Sequence, residues 1–209
     1  MNIKSERLLG LIDGVYAIAI TLFAIELPKD LSALIQFEHG RELALLEYGI
    51  IYSATFFLIF DMWLVHKSML MTKETPASGN LEIFTVLTLL IVTTIPGLAL
   101  QGLDVFIEHK EGAQSDALSS YHLLMLGVYG AAYLCLSLVE RTLGIRHTKS
   151  NIFMYSFGRV LIFGAAFIVS IATYLLWSGY VLPVPVVVLV MVVSGVALRH
   201  STDDNVAVM

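Results

Sequence analysis

The stretch Arg7-Leu8-Leu9-Gly10-Leu11-Ile12-Asp13-Gly14-Val15-Tyr16-Ala17-Ile18-Ala19-Ile20-Thr21-Leu22-Phe23-Ala24-Ile25-Glu26-Leu27 decides the fold. After Arg7 it runs for about 20 residues without a lysine or arginine, and a helix of that length at 1.5 Å per residue crosses the hydrocarbon core of a bilayer. Ile18, Leu22 and Ile25 recur at the spacing i, i+4, i+7, and Thr21 lies on the same arc. The helix therefore presents an apolar stripe carrying one hydroxyl. Asp13 points elsewhere, roughly 140° around the helix from Ile18. A carboxylate inside such a segment is expensive unless paired or watered, so Asp13 marks a functional position by default. One face of this helix is suited to line a space, and another to be held by neighbouring helices.

The whole chain agrees with that reading. Of its 209 residues, 57% are hydrophobic and only 14% charged, with a mean hydropathy of +0.82. Soluble domains sit nearer 45–50% apolar and about 25% charged. This composition is that of an all-α integral membrane protein. Six apolar spans follow one another, at about 8–27, 47–66, 81–103, 120–139, 157–178 and 181–198, and together they make residues 1–209 a single six-helix transmembrane domain. The first apolar run is longer than a signal-peptide core, and no small-x-small cleavage site follows before Pro28, so it reads as retained. Pro28 is expected to stop the first span. The mixture of charges with Leu and Phe over residues 29–46 suggests a short interfacial helix before the second. Pro183 and Pro185 fall in the first turns of the sixth span, where proline costs least.

Lysine and arginine set the orientation. With the N-terminus inside, Lys4, Arg7, Lys67, Lys73, Arg141, Arg146, Lys149, Arg159 and Arg199 lie on the cytoplasmic side, and Lys29, Arg41 and Lys110 on the other, nine against three of the 12. Both termini are thus expected in the cytoplasm. That topology brings Asp13, Asp61, His66, Asn80, Glu82 and Arg159 into one cytoplasmic layer. Polar groups at this depth need partners. Arg7, Asp13, Trp63, His66 and Asn80 are expected to form a network joining spans one to three, with Arg159 pairing with Asp61 or Glu82. The network reads first as a structural clamp. A histidine beside carboxylates titrates near neutral pH, which makes a proton-sensitive switch the sharper alternative.

Enzyme signatures are absent: no His-Glu-x-x-His, no Gly-x-Ser-x-Gly, no phosphate loop and no paired-cysteine motif. His39, His66, His109, His122, His147 and His200 lack ligand spacing, so neither a resident metal nor a cofactor is expected. A single cysteine, Cys135, excludes an internal disulfide. No Lys/Arg-rich run points to nucleic acid. Gly14-Val15-Tyr16 has the wrong order for a carbonyl-lined selectivity filter, and a helix cannot aim its carbonyls at an ion. A proton-coupled secondary transporter with Asp13, Asp61 and His66 as a relay remains an alternative. Against it, the charges cluster at one end, only Pro96 interrupts a span centrally, and no internal repeat is visible.

Arg7, Leu11, Ile12, Asp13, Gly14, Val15, Tyr16, Ala17, Ile18, Thr21 and Leu22 resemble the first-helix pattern of the transmembrane protein 175 family of potassium channels, Arg-x-x-x-Phe-Ser-Asp followed by Gly-Val-(Phe/Tyr)-Ala-Ile-x-x-Thr-Leu. Leu11-Ile12 replaces the family's Phe-Ser pair and removes a hydroxyl of its polar network. Trp63-x-x-His66, Asn80-Leu81 and Pro96 are further landmarks of the resemblance. By composition the Ile18, Leu22, Ile25 stripe reads as ordinary helix packing; the resemblance matches it to the family's pore-lining positions instead. It implies a homotetramer in the plasma membrane, with four copies of the first helix around one central pore and potassium as the preferred ion, and it leaves proton permeability open. Stacked apolar rings at Ile18, Leu22 and Ile25 would then serve as constriction and hydrophobic gate, and Thr21 would offer hydroxyls to a partly dehydrated cation.

Overall fold

A computed structural model of the chain describes residues 3–35, 41–71, 79–108, 114–144, 156–176, 183–191 and 193. Its helices are α1 (Ile3–Ile35), α2 (Arg41–Met71), α3 (Gly79–Glu108), α4 (Gln114–Thr142) and α5 (Ser156–Leu176). A sixth helical segment, α6, covers residues 184–191. Windows long and apolar enough to cross a membrane lie at Glu6–Ile25, Gly49–Met71, Gly79–Ala99, Ser119–Thr142 and Phe157–Leu176. These match the first five expected spans. Of the expected sixth span, 181–198, residues 181–182, 192 and 194–198 lie outside the described residues.

Two expectations about the first connection are corrected. Pro28 does not end α1, which continues to Ile35, and α2 already begins at Arg41, so no separate interfacial helix stands between them among the described residues. A proline removes one bond from the helical ladder and crowds the carbonyl four residues back, which here is that of Ala24. That carbonyl sits at the edge of the apolar window, which closes at Ile25. Water can satisfy it there, so continuing the helix costs less than ending it.

Pro96 poses the same problem inside the hydrocarbon layer, and α3 nevertheless runs unbroken through it. In the preceding turn the hydroxyls of Thr93 and Thr94 donate to the carbonyls of Leu90 and Ile91, at 2.8 Å and 2.7 Å. They satisfy their own polarity on the helix just before Val92, whose carbonyl is the one Pro96 leaves without its amide.

Packing divides the bundle into two groups. α1 lies against α2 and α3, while α4 is clasped between α3 and α5. The α1 face turned inward is Leu9, Ile12, Tyr16, Ala19 and Phe23, all buried and spaced by threes and fours. Phe23 stacks on Tyr52 of α2, with ring centroids 4.4 Å apart. On the other side Tyr133 of α4 stacks on Phe163 of α5 at 5.5 Å. Closer to the start of α4, Gly127 leaves room for the ring of Phe167, whose edge lies 3.4 Å from where a Cβ would stand. α4 closes on Gly144, whose φ of 61° is the left-handed cap that glycine adopts without strain.

Candidate conduction surface and its polar anchors

The bundle seals one face of α1 and leaves the opposite one open. Ile18, Leu22 and Ile25 are 58%, 51% and 56% exposed, and Leu11, two turns before Ile18, continues the same open face. In water such a stripe would be a liability; in a membrane it faces lipid or another protein surface. Thr21 is exposed beside it, and its hydroxyl donates to the Ala17 carbonyl of its own helix at 2.7 Å. The hydroxyl proton is thereby committed, while the oxygen keeps its capacity to accept.

Asp13 is held at the flank of α1. The Trp63 indole donates to its Oδ1 at 2.7 Å. The Lys67 ammonium donates to Oδ2 and Oδ1 at 3.1 Å and 3.3 Å, and the same ammonium stands 4.7 Å above the Trp63 ring. Trp63 and Lys67 are four residues apart, hence on one face of α2. Carboxylate, indole and ammonium thus form a closed triangle in which each group contacts the other two.

The expected network is corrected at its other members. His66 does not reach Asp13. It is turned about 100° from Lys67 around α2 and is fully buried, with the Tyr16 ring edge-on at 6.1 Å. Neither ring nitrogen of His66 nor the Tyr16 hydroxyl has a hydrogen-bond partner among the described residues. Arg7 and Asn80 are exposed and stand outside the triangle. Ile12, standing where the family pattern has serine, is fully buried, so that position is apolar core in this chain. Lys67 was the partner the sequence reading missed, and its i+4 spacing from Trp63 was the available signal.

A second polar cluster lies across the bundle. Arg159 of α5 grips Asp61 of α2 with two bonds, Nε to Oδ2 and a terminal nitrogen to Oδ1, each 2.6 Å. The Tyr133 hydroxyl of α4 donates to the same Oδ2 at 2.7 Å. Of the two acidic partners considered for Arg159, Asp61 is the one engaged, and Glu82 is exposed on α3. α5 packs chiefly along α4, and among the described residues this ion pair ties it to α2 as well. Asp13 and Asp61 consequently belong to separate clusters, not to one layer-wide network.

A bundle of membrane-length helices, with an apolar stripe left open on the first and its charges paired between helices, defines a multi-pass α-helical membrane protein. Residues 7–96, running through α1 and α2 and into α3 as far as Pro96, match the family model described as the endosomal/lysosomal potassium channel TMEM175, and over that segment the chain is similar to this family of potassium channels. Neither curated proteins nor solved structures yield a significant match to the chain.

Proposed function

We propose that the chain is one of four identical subunits of a potassium channel, with both termini in the cytoplasm and α1 of each subunit facing a shared pore. The observation that carries this reading is the exposure of Ile18, Leu22 and Ile25 on the helix whose opposite face the bundle seals, within the segment that matches a potassium-channel family. Four copies of the stripe would stack three apolar rings along the axis. A narrow apolar ring obstructs ions by expelling water, and a modest widening lets both pass, so constriction and gate are one feature. Thr21, at the edge of the stripe, would supply the oxygen ligands that bias the pore toward a weakly hydrated cation.

The carrier alternative finds no support. A relay through Asp13, Asp61 and His66 would need these groups in contact, whereas Asp13 bonds to Trp63 and Lys67, and Asp61 to Arg159 and Tyr133. Purified protein in liposomes should pass potassium in preference to sodium down imposed gradients, and should run as a tetramer by native mass measurement. A monomer with no potassium flux would overturn the reading.

The two faces of α1 can be separated by mutation. Thr21→Ala should shift the potassium-to-sodium reversal potential and leave tetramer yield unchanged. Asp13→Asn should do the converse. The pair it breaks is partly exposed, with side-chain exposures of 31% for Lys67 and 44% for Asp13. The loss is therefore about 1 kcal/mol, closer to a surface pair than to a fully buried one. Reversal potentials and tetramer yields for the two variants, taken side by side, decide which face meets the ion.

A further inference from the structure

At the end of the bundle opposite Asp13, the start of α6 poses a hydrogen-bonding problem. The first turn of a helix leaves backbone N–H groups without partners, and each one stranded in hydrocarbon costs several kcal/mol. Here Pro183 and Pro185 have no N–H to satisfy. The amides of Val186 and Val187 both donate to the Pro183 carbonyl, at 3.0 Å and 3.4 Å. Only the Val184 amide is left in that turn, and it donates to Nδ1 of His122, a buried side chain on α4, at 3.4 Å. The imidazole caps a helix 62 residues away in the chain.

That bond constrains the ring. An imidazole nitrogen accepts only while it carries no proton, so His122 is neutral here with its hydrogen on Nε2. Once Nδ1 is protonated, the ring has two donors and no acceptor. It then also places a positive charge at the positive end of a helix. Both effects separate α6 from α4. His122 is three residues inside the window that opens at Ser119, about one helical turn from its edge. Among the residues whose side chains are described, the titratable groups at this end of α4, α5 and α2 are uncharged phenols. Tyr121 beside it on α4 has its ring centroid at 5.3 Å. Tyr174 on α5 lines a groove with Ser119 and Ser120, and Tyr52 on α2 stacks against Phe23. Residues 184–191 of α6, and residues 95–99 and 101 of α3, contain no titratable side chain.

We propose that His122 is a proton-sensitive pin for α6: with Nδ1 free it holds the start of the helix against α4, and a proton on Nδ1 releases it. The pin is placed to affect more than one helix end. α6 also carries Met191, whose sulfur lies 3.8 Å from the Tyr133 hydroxyl, the same hydroxyl that donates to Asp61. A released α6 removes one wall from the Asp61 cluster.

The test is amide hydrogen exchange of the 183–191 segment in lipid nanodiscs, corrected for the intrinsic effect of pH, at about pH 7.5 and about pH 4, an interval wide enough to protonate a buried imidazole. In the native chain the Val184 amide should exchange about tenfold faster in acid, the factor supplied by a net hydrogen bond of ordinary strength. His122→Asn places a carbonyl oxygen near Nδ1 that cannot be protonated in this range, and should hold the segment protected at both values. His122→Leu should leave it exchanging fast at both. A native chain indifferent to pH, or an acid response undiminished in His122→Asn, overturns the proposal. The readout requires no ion flux, so it stands or falls separately from the channel reading.

Discussion

Ile18→Asn should raise basal potassium flux through reconstituted protein by roughly one to two orders of magnitude. The change replaces a branched hydrocarbon by an amide that water wets, four times over if α1 lines a four-fold pore. Each 1.4 kcal/mol removed from a barrier is tenfold in rate, so a loss of about 1.4–2.8 kcal/mol of dewetting barrier gives that range. Ile18→Ala should act in the same direction by widening the ring. The control lies on the same helix. Ala24, also exposed, sits about 120° around from Ile18, and Ala24→Asn should change flux far less. Potassium flux in liposomes, normalised to tetramer content, provides the comparison. If Ile18 variants assemble normally and conduct like the native chain, the stripe is a lipid-facing or packing surface and the gate lies elsewhere.

The stripe was legible because it depends on a single local rule. Helical periodicity places Ile18, Leu22 and Ile25 on one face whatever the rest of the chain does, and the structure leaves that face open. The length and apolarity of five spans were legible for the same reason. Failures came where a local rule met a tertiary alternative. Locally Pro28 reads as a stop, yet a helix end costs more hydrogen bonds than one missing rung with water at hand, and α1 continues. His66 was expected to bind Asp13 because both fell at one depth. Depth fixes a layer but not an azimuth, and the azimuth gave the carboxylate to Trp63 and Lys67. The family's serine hydroxyl is absent as well, since Ile12 fills that place in the core. Periodicity has no access to a bond such as Val184 to His122, which depends on how α6 meets α4 in three dimensions.

The Asp61–Arg159 pair shows what such a long-range contact is worth, and Arg159→Met should be strongly destabilising. The two groups are 98 residues apart and their side chains are only 23% and 14% exposed. Removing the guanidinium leaves a carboxylate in a largely apolar setting with Tyr133 as its remaining donor. Breaking a buried pair from one side typically costs about 3–5 kcal/mol, because the partner's desolvation is no longer offset. Asp61→Leu alone should be similarly costly, since it strands the cation. The double variant Asp61→Leu/Arg159→Met should recover most of the loss, as an apolar replacement of both partners leaves no charge uncompensated. Yields of folded protein in detergent, and unfolding midpoints for the two single variants and the double, complete the cycle. Recovery in the double variant would make the pair a specificity device that fixes how α5 meets α2. A double variant as unstable as the sum of the singles would instead mean that each side chain holds its own helix independently, and that the tie between α5 and the α1–α3 group lies elsewhere.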